Sequence, residues 1–175
     1  IKSIALSTDK AVNPINLYGG TKLLLEKLFV SANNTTGKRR SIFSVVRYGN
    51  VLNSRGSIIP LLNSIGKDTS NEHFTLTHAD MTRFVMTLEQ SVDLIEYAIL
   101  NGETGDTVLP TLISMKVIDM IELFSEKFNK PIKIIGMRPG EKMLESLINH
   151  TQSGRLEQRN NYYHIKSIFK YDKII

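Results

Sequence analysis

Short apolar runs of strand length alternate along this chain with longer stretches whose apolar residues recur at helical spacing. That alternation constrains the fold more than any other feature. Ile4-Ala5-Leu6-Ser7 reads as a buried strand that stops at Thr8. Pro14 and Asn16 mark a turn and a helix start, and Leu17, Leu24, Leu25, Leu28 and Phe29 line a helix running to Ala32. Asn33-Asn34 with Gly37 ends it, and Ile42 to Val46 forms a second strand that enters a loop at Arg47. The spacing predicts helices over 57–65, 87–100 and 114–128, the last capped by Ser114, and a short helix over 143–148. Short strands are expected at Phe74 to Leu76, Thr107 to Leu109 and Ile132 to Ile135. Such alternation predicts an α/β fold with a mostly parallel sheet. Residues 1–60 and 61–150 read as different lobes, and the polar stretch from Gln152 to Asn161 predicts a tail or mobile loop within 151–175.

Composition narrows the function classes. With 175 residues and 41% hydrophobic content, the chain is long enough for one domain with a real core. It contains no cysteine, which excludes disulfides and thiolate chemistry. It also lacks the run of ~18 apolar residues that a membrane span needs. No signal peptide is visible and residue 1 is Ile rather than Met, so the chain reads as a fragment with a cytoplasmic setting as the default. The net charge of +5 raises nucleic-acid binding as one possibility. Lys38, Arg39 and Arg40 form the only tight basic cluster, and it lies in a polar surface loop without the interleaved aromatics that base stacking needs. His73, His78, His150 and His164 share no metal-ligand spacing and read as non-catalytic.

Five constellations carry chemistry. Tyr18 and Lys22 are four residues apart, so a helix projects both from one face. A lysine ammonium beside a phenol favours the phenolate and lowers its pKa from about 10, which makes a general base. An ordinary helix with an exposed Tyr and Lys would show the same spacing, so the surroundings decide. Thr8 stands at the end of the first strand and is followed by Asp9-Lys10, an adjacent carboxyl and amine that can divide acid and base roles. Arg47 to Ser57, R-Y-G-N-V-L-N-S-R-G-S, follows a buried strand, where ligands bind in open α/β sheets. Met81-Thr82-Arg83-Phe84 offers an arginine suited to phosphate oxygens. Arg138-Pro139-Gly140-Glu141-Lys142 is a Pro-Gly turn that presents a cation and a carboxylate.

In this order, S-T-D-K, N-P-x-N-x-Y-G-x-T-K, R-Y-G-N-V, M-T-R-F and R-P-G-E-K resemble the extended short-chain dehydrogenase/reductase family acting on nucleotide sugars. Within that family the Asp-Lys pair resembles the UDP-N-acetylglucosamine 4,6-dehydratases of flagellin-glycan and capsule polysaccharide pathways. The resemblance spans roughly residues 1–148. It implies the C-terminal part of a Rossmann-like parallel sheet plus a smaller α/β substrate-binding lobe. It implies Tyr18 as acid/base, Lys22 as its partner and nicotinamide-ribose ligand, Thr8 against the substrate hydroxyl, and Asp9 and Lys10 for elimination. Val51, Leu52, Asn53 and Ser54 would pass near the nicotinamide of NADP (or NAD), although Asn53 stands where the family usually has Gly. Asn50, Arg83, Arg138 and Glu141 would contact the UDP-sugar, the arginines through its diphosphate and Glu141 through ribose hydroxyls.

No G-x-G-x-x-G turn occurs in the chain, so the pyrophosphate cradle of the cofactor is expected elsewhere. Either the chain is a piece of a longer enzyme, itself a homo-oligomer, or a separate N-terminal half comes from a split gene. A nucleotide-sugar epimerase uses the same Tyr and Lys, and a non-catalytic sugar-nucleotide-binding remnant is the alternative outside catalysis.

Overall fold

Strands β1 (Lys2–Thr8) and β2 (Ile42–Tyr48) pair in parallel from Lys2 opposite Ile42 to Thr8 opposite Tyr48. The second strand thus runs two residues past Val46, through Arg47 and Tyr48, because β1 offers a backbone partner to its end. A computed structural model describes residues 1–37 and 41–169; the Lys38-Arg39-Arg40 cluster lies outside the described residues. The chain divides into two units. The first comprises the described residues of Ile1–Tyr48, Glu89–Thr111 and Ser146–Ile175; the second comprises Gly49–Leu88 and Leu112–Glu145. The sequence reading of lobes 1–60 and 61–150 therefore differs from the structure, in which the chain leaves the first unit and returns to it twice.

The first unit is built on a five-stranded sheet in which β6 (Thr107–Pro110) lies parallel to β2 and is followed by β10 (Tyr162–Ile165) and β9 (Leu156–Arg159), giving the order β1-β2-β6-β10-β9. Alternation along β2 sorts its side chains between two helices. Phe43 meets Phe29 of α1 (Leu17–Ala32) edge-on at 5.8 Å, and Arg47 meets Glu26 of the same helix. Val46 packs with Val108 against Leu94 and Ala98 of α3 (Leu88–Asn101). Helices on both faces explain why Ser44, Val45, Val46 and Arg47 are all buried. At the C-terminal end of α3, Lys2 Nζ donates to the Leu100 and Gly102 carbonyls, both at 3.1 Å, which satisfies groups the helix leaves unpaired.

Where the polar sequence predicted a tail, the described chain forms a helical turn, α5 (His150–Ser153), and a hairpin of β9 (Leu156–Arg159) and β10 (Tyr162–Ile165). β10 pairs antiparallel with β6, so an antiparallel hairpin completes the parallel part of the sheet. Several of its polar side chains are satisfied internally. Buried His164 bonds through Nδ1 to Asp106 Oδ2 at 2.9 Å and through Nε2 to the Tyr97 hydroxyl at 3.0 Å. Tyr97 stacks on Tyr162 at 3.9 Å. Lys166 donates to Asp106 and to Glu103, and Arg159 donates to Glu103.

This network makes stability depend on acid. Hydrogen bonds from Lys166 and Arg159 hold the Glu103 carboxyl down at about 2. Burial pushes Asp106 up, but hydrogen bonds from His164 and Lys166 outweigh it and leave it below its ordinary value. Both groups have depressed folded-state pKa values. Their contribution is therefore complete above the unfolded carboxylate range, ~4, and is lost as pH falls through their depressed folded values, which for Glu103 is about 2. Urea midpoints taken between neutral pH and the acid limb should fall in this window. The Glu103→Gln variant should show a shallower decline that added salt brings closer to the parent.

The second unit holds a three-stranded sheet, β3 (Asn50–Val51), β5 (Thr82–Met86) and β7 (Ile113–Lys116), and a parallel pair, β4 (Phe74–Leu76) with β8 (Ile132–Ile134). Leu62 of α2 (Ile58–Lys67), Phe74, Leu76, and Met120 and Ile121 of α4 (Val117–Phe128) form its core. Ser114 lies inside β7 rather than capping α4, and Lys116 is the N-cap; pairing of Ile113–Lys116 with β5 overrides the helical spacing. No helix spans 143–148, and that segment is held instead by irregular contacts such as the Thr82 amide to the Met143 carbonyl at 3.0 Å.

Candidate active site

The first unit gathers Thr8, Asp9, Lys10, Tyr18 and Lys22. Asn16 caps α1, its side chain accepting from the Gly19 amide at 2.8 Å, so the helix begins one residue before Tyr18. A short 3₁₀ turn, Asp9–Ala11, follows β1. The first turn of α1 presses on it. A Cβ on Gly19 would lie 2.3 Å from the Lys10 carbonyl oxygen, so only glycine permits this approach. The helix spacing places Tyr18 and Lys22 on one face, with Lys22 Nζ 6.0 Å from the Tyr18 ring centre and donating to the Leu6 carbonyl at 3.0 Å. Half of Tyr18 is exposed.

Asp9 is wholly buried. Its Oδ1 accepts from Thr8 Oγ1 at 2.7 Å and from Lys10 Nζ at 2.9 Å, while its Oδ2 is buried with no hydrogen-bond partner. A buried carboxylate oxygen without a donor is costly, so the arrangement favours a hydrogen-bond donor there. Thr8 directs its own proton to Asp9, a link the resemblance did not imply. Opposite Thr8 on β2, burial pushes the Tyr48 phenol up, and charge on Tyr18 pushes it further.

The second unit holds the remaining candidates. Asn50 and Val51 form β3 beside Val85 and Met86. Leu52 turns its side chain into the unit's core, and Ser54 Oγ donates to the Val51 carbonyl at 2.9 Å, closing a tight turn. Asn53 in that turn has φ 56°, the left-handed region that Gly fills and Asn tolerates. An Asn53→Val variant should lose ~1–3 kcal/mol, and Asn53→Gly should stay near the parent, in urea unfolding.

Arg83 lies in β5 and donates to the Thr82 and Met143 carbonyls at 2.7 and 3.4 Å. Arg138 faces Glu141 at 3.9 Å across a turn in which Gly140 has φ 82°, and Glu141 accepts from Thr77 Oγ1 at 3.0 Å. Arg138 remains mostly exposed.

Sequence reasoning quoted Ser7, Gly19 and Arg47 within motifs but gave them no individual role, and it missed Glu26 altogether. Glu26 had a signal: a lone carboxylate in the apolar run L-L-L-E-K-L-F, four residues after Lys22.

A family described as polysaccharide biosynthesis protein matches residues 1–167. The chain belongs to this family, a branch of the extended short-chain dehydrogenase/reductases. Within it, the chain is 46% identical over 171 residues to an uncharacterized membrane protein of Methanocaldococcus jannaschii, covering 93% of this chain and 51% of that one. It is 41% identical to a UDP-N-acetylglucosamine 4,6-dehydratase (inverting) of Campylobacter jejuni, covering 97% and 50%. It is 42% identical to a UDP-glucose 4-epimerase of Rickettsia bellii, covering 94% and 48%. The chain thus spans about half the length of the curated relatives it matches. Among solved structures, Pen from Bacillus thuringiensis superposes with a TM-score of 0.89 at 35% identity, covering 98% of this chain and 54% of that one. A dTDP-glucose 4,6-dehydratase from Streptomyces venezuelae with NAD bound shares the fold, with a TM-score of 0.69 at 12% identity over 87% and 53%. No helix among the described residues is long and apolar enough to cross a membrane.

Proposed function

We propose that this chain supplies the acid–base groups of a nucleotide-sugar 4,6-dehydratase that converts UDP-N-acetylglucosamine to a 4-keto-6-deoxy sugar nucleotide with NADP as a recycled oxidant. The observation that carries the reading is the Asp9–Lys10 pair, a wholly buried carboxylate 2.9 Å from an amine and beside the Tyr18 helix. The relative named as a UDP-N-acetylglucosamine dehydratase supports the substrate.

The residues present fit a nicotinamide nucleotide at one end. Lys22 has three N–H donors and gives one to the Leu6 carbonyl, so others can reach ribose hydroxyls. A nicotinamide held there would supply the hydride acceptor for sugar C4 and the hydride donor for C6. Tyr18 takes the proton of the C4 hydroxyl as the ketone forms. That ketone acidifies the C5 hydrogen, and Lys10 (or Tyr18) removes it. Asp9, holding the proton that Lys10 passes across their 2.9 Å contact on becoming the base, protonates the departing C6 oxygen, which leaves as water. The proton held from C5 returns to C5 as C6 is reduced. In the second unit, Arg83 and Arg138 bind the diphosphate, Glu141 accepts from ribose hydroxyls and Asn50 contacts the sugar. The phosphate cradle of the cofactor lies outside these residues.

The test is turnover of UDP-N-acetylglucosamine by the complete reading frame, read as loss of water in the product mass. Tyr18→Phe and Lys10→Ala should each lower kcat by about 10²–10⁴-fold. Full turnover in both would sink the assignment of roles. The relatives named UDP-glucose 4-epimerase favour a second reading, in which product and substrate have the same mass.

A further inference from the structure

We infer that Glu26 and Arg47 form a positioning clamp that sets the register of the Tyr18–Lys22 helix against Thr8-Asp9-Lys10. The inference rests on the proposed function for the meaning of those residues. Its geometry lies wholly within the first unit. Glu26 follows Lys22 by one further helical step, so Tyr18, Lys22 and Glu26 share one face of α1. Its carboxylate is buried and accepts three hydrogen bonds. Arg47 donates through Nε at 3.0 Å and through one terminal nitrogen at 2.6 Å, and Ser7 Oγ donates at 2.5 Å.

Each donor sits beside a residue of the site. Ser7 immediately precedes Thr8 on β1, and Arg47 is followed by Tyr48, the partner of Thr8 across the sheet. The other terminal nitrogen of Arg47 donates to the Leu147 carbonyl at 2.5 Å and to Gln152 Oε1 at 3.2 Å. Arg47 is thus tied both to the place where the chain leaves the first unit, after Tyr48, and to the place where it re-enters, at Ser146.

A planar guanidinium bound in a fork allows one orientation where an apolar contact would allow several. A buried ion pair adds little net stability compared with a well-packed apolar pair, so its value here is directional. A slide of α1 along β1 would break the fork before it changed the buried area. The same slide would move the Tyr18 hydroxyl and Lys22 relative to Asp9.

The test compares Glu26→Gln and the double variant Glu26→Leu/Arg47→Met with the parent, in the complete enzyme. Thermal midpoints, kcat and KM for UDP-N-acetylglucosamine, and amide hydrogen exchange are measured. We expect the double variant to regain the parent's midpoint while kcat stays about 10²-fold low and KM changes little. Exchange should quicken over 8–10 and 17–24 and stay slow in β6 and β10. A double variant that regains both midpoint and kcat would show the pair to be structural only. If the double variant fails to fold, Glu26→Gln decides: parent kcat with parent exchange over 17–24 overturns the clamp, and a lowered kcat with local loss of protection supports it. If the parent itself does not turn over the sugar nucleotide, the dehydratase reading fails. The exchange pattern then still decides the clamp, since unchanged protection over 8–10 and 17–24 contradicts it.

Discussion

Gly19→Ala is expected to destabilise the protein and remove most of its turnover, while Gly20→Ala, one residue on, should do the opposite to stability. Both glycines lie in the first turn of α1, where helix propensity alone favours alanine by ~1 kcal/mol. Sterics separate them. An added Cβ at Gly20 meets nothing within 4 Å, whereas at Gly19 it falls 2.3 Å from the Lys10 carbonyl oxygen and 3.0 Å from the Pro14 Cβ. Backbone cannot swing away as a side chain can, so the helix start or the Asp9–Ala11 turn must move. Overpacking of this kind costs ~1–3 kcal/mol and wins over propensity. The displaced groups include those proposed as catalytic, and a shift near 1 Å can cost about 10²-fold in rate. Urea unfolding and kcat on the two variants check both signs. Equal stability of the two would refute the close approach.

Phe74→Ala is expected to cost ~3–5 kcal/mol, the largest single loss in the second unit. Phe74 is fully buried at the centre of the cluster with Leu62, Leu76, Met120 and Ile121, and its ring lies 6.5 Å from that of Phe128. The strand pair β4 with β8 has three residues on each side, so little backbone structure would hold the site together once the ring is gone. Leu123→Ala on α4, where the side chain is 67% exposed, should change stability by less than ~0.5 kcal/mol. Calorimetric or urea midpoints on the two variants separate burial from residue type.

Where a pattern is local, it could be read directly. The bounds of α1 follow from Asn16 and the leucine spacing, and the shared face of Tyr18 and Lys22 follows from the helix pitch. The left-handed angle at Asn53 is consistent with a residue that tolerates it in place of glycine. The ordered motifs carried the family, which the comparisons show. Readings failed where a distant partner decides. The helix expected over 114–128 begins only at Val117, because Ser114–Lys116 pairs with β5, and the helix expected over 143–148 does not form. The hairpin at 156–165 looked like a tail because it is polar, yet Asp106 and Tyr97, more than fifty residues earlier, satisfy His164.

The Tyr18–Lys22 spacing, the Asp9-Lys10 neighbourhood and the strand–helix alternation are properties of the sequence alone, because each depends on residues within a turn or two of one another. Tertiary structure decided which groups those residues face. It placed Gly19 against Lys10, gave Asp9 a buried oxygen without a donor, and joined Glu26 to Ser7 and Arg47 across three elements. Such contacts come from packing helices on a sheet, and packing brings together residues that no local spacing relates.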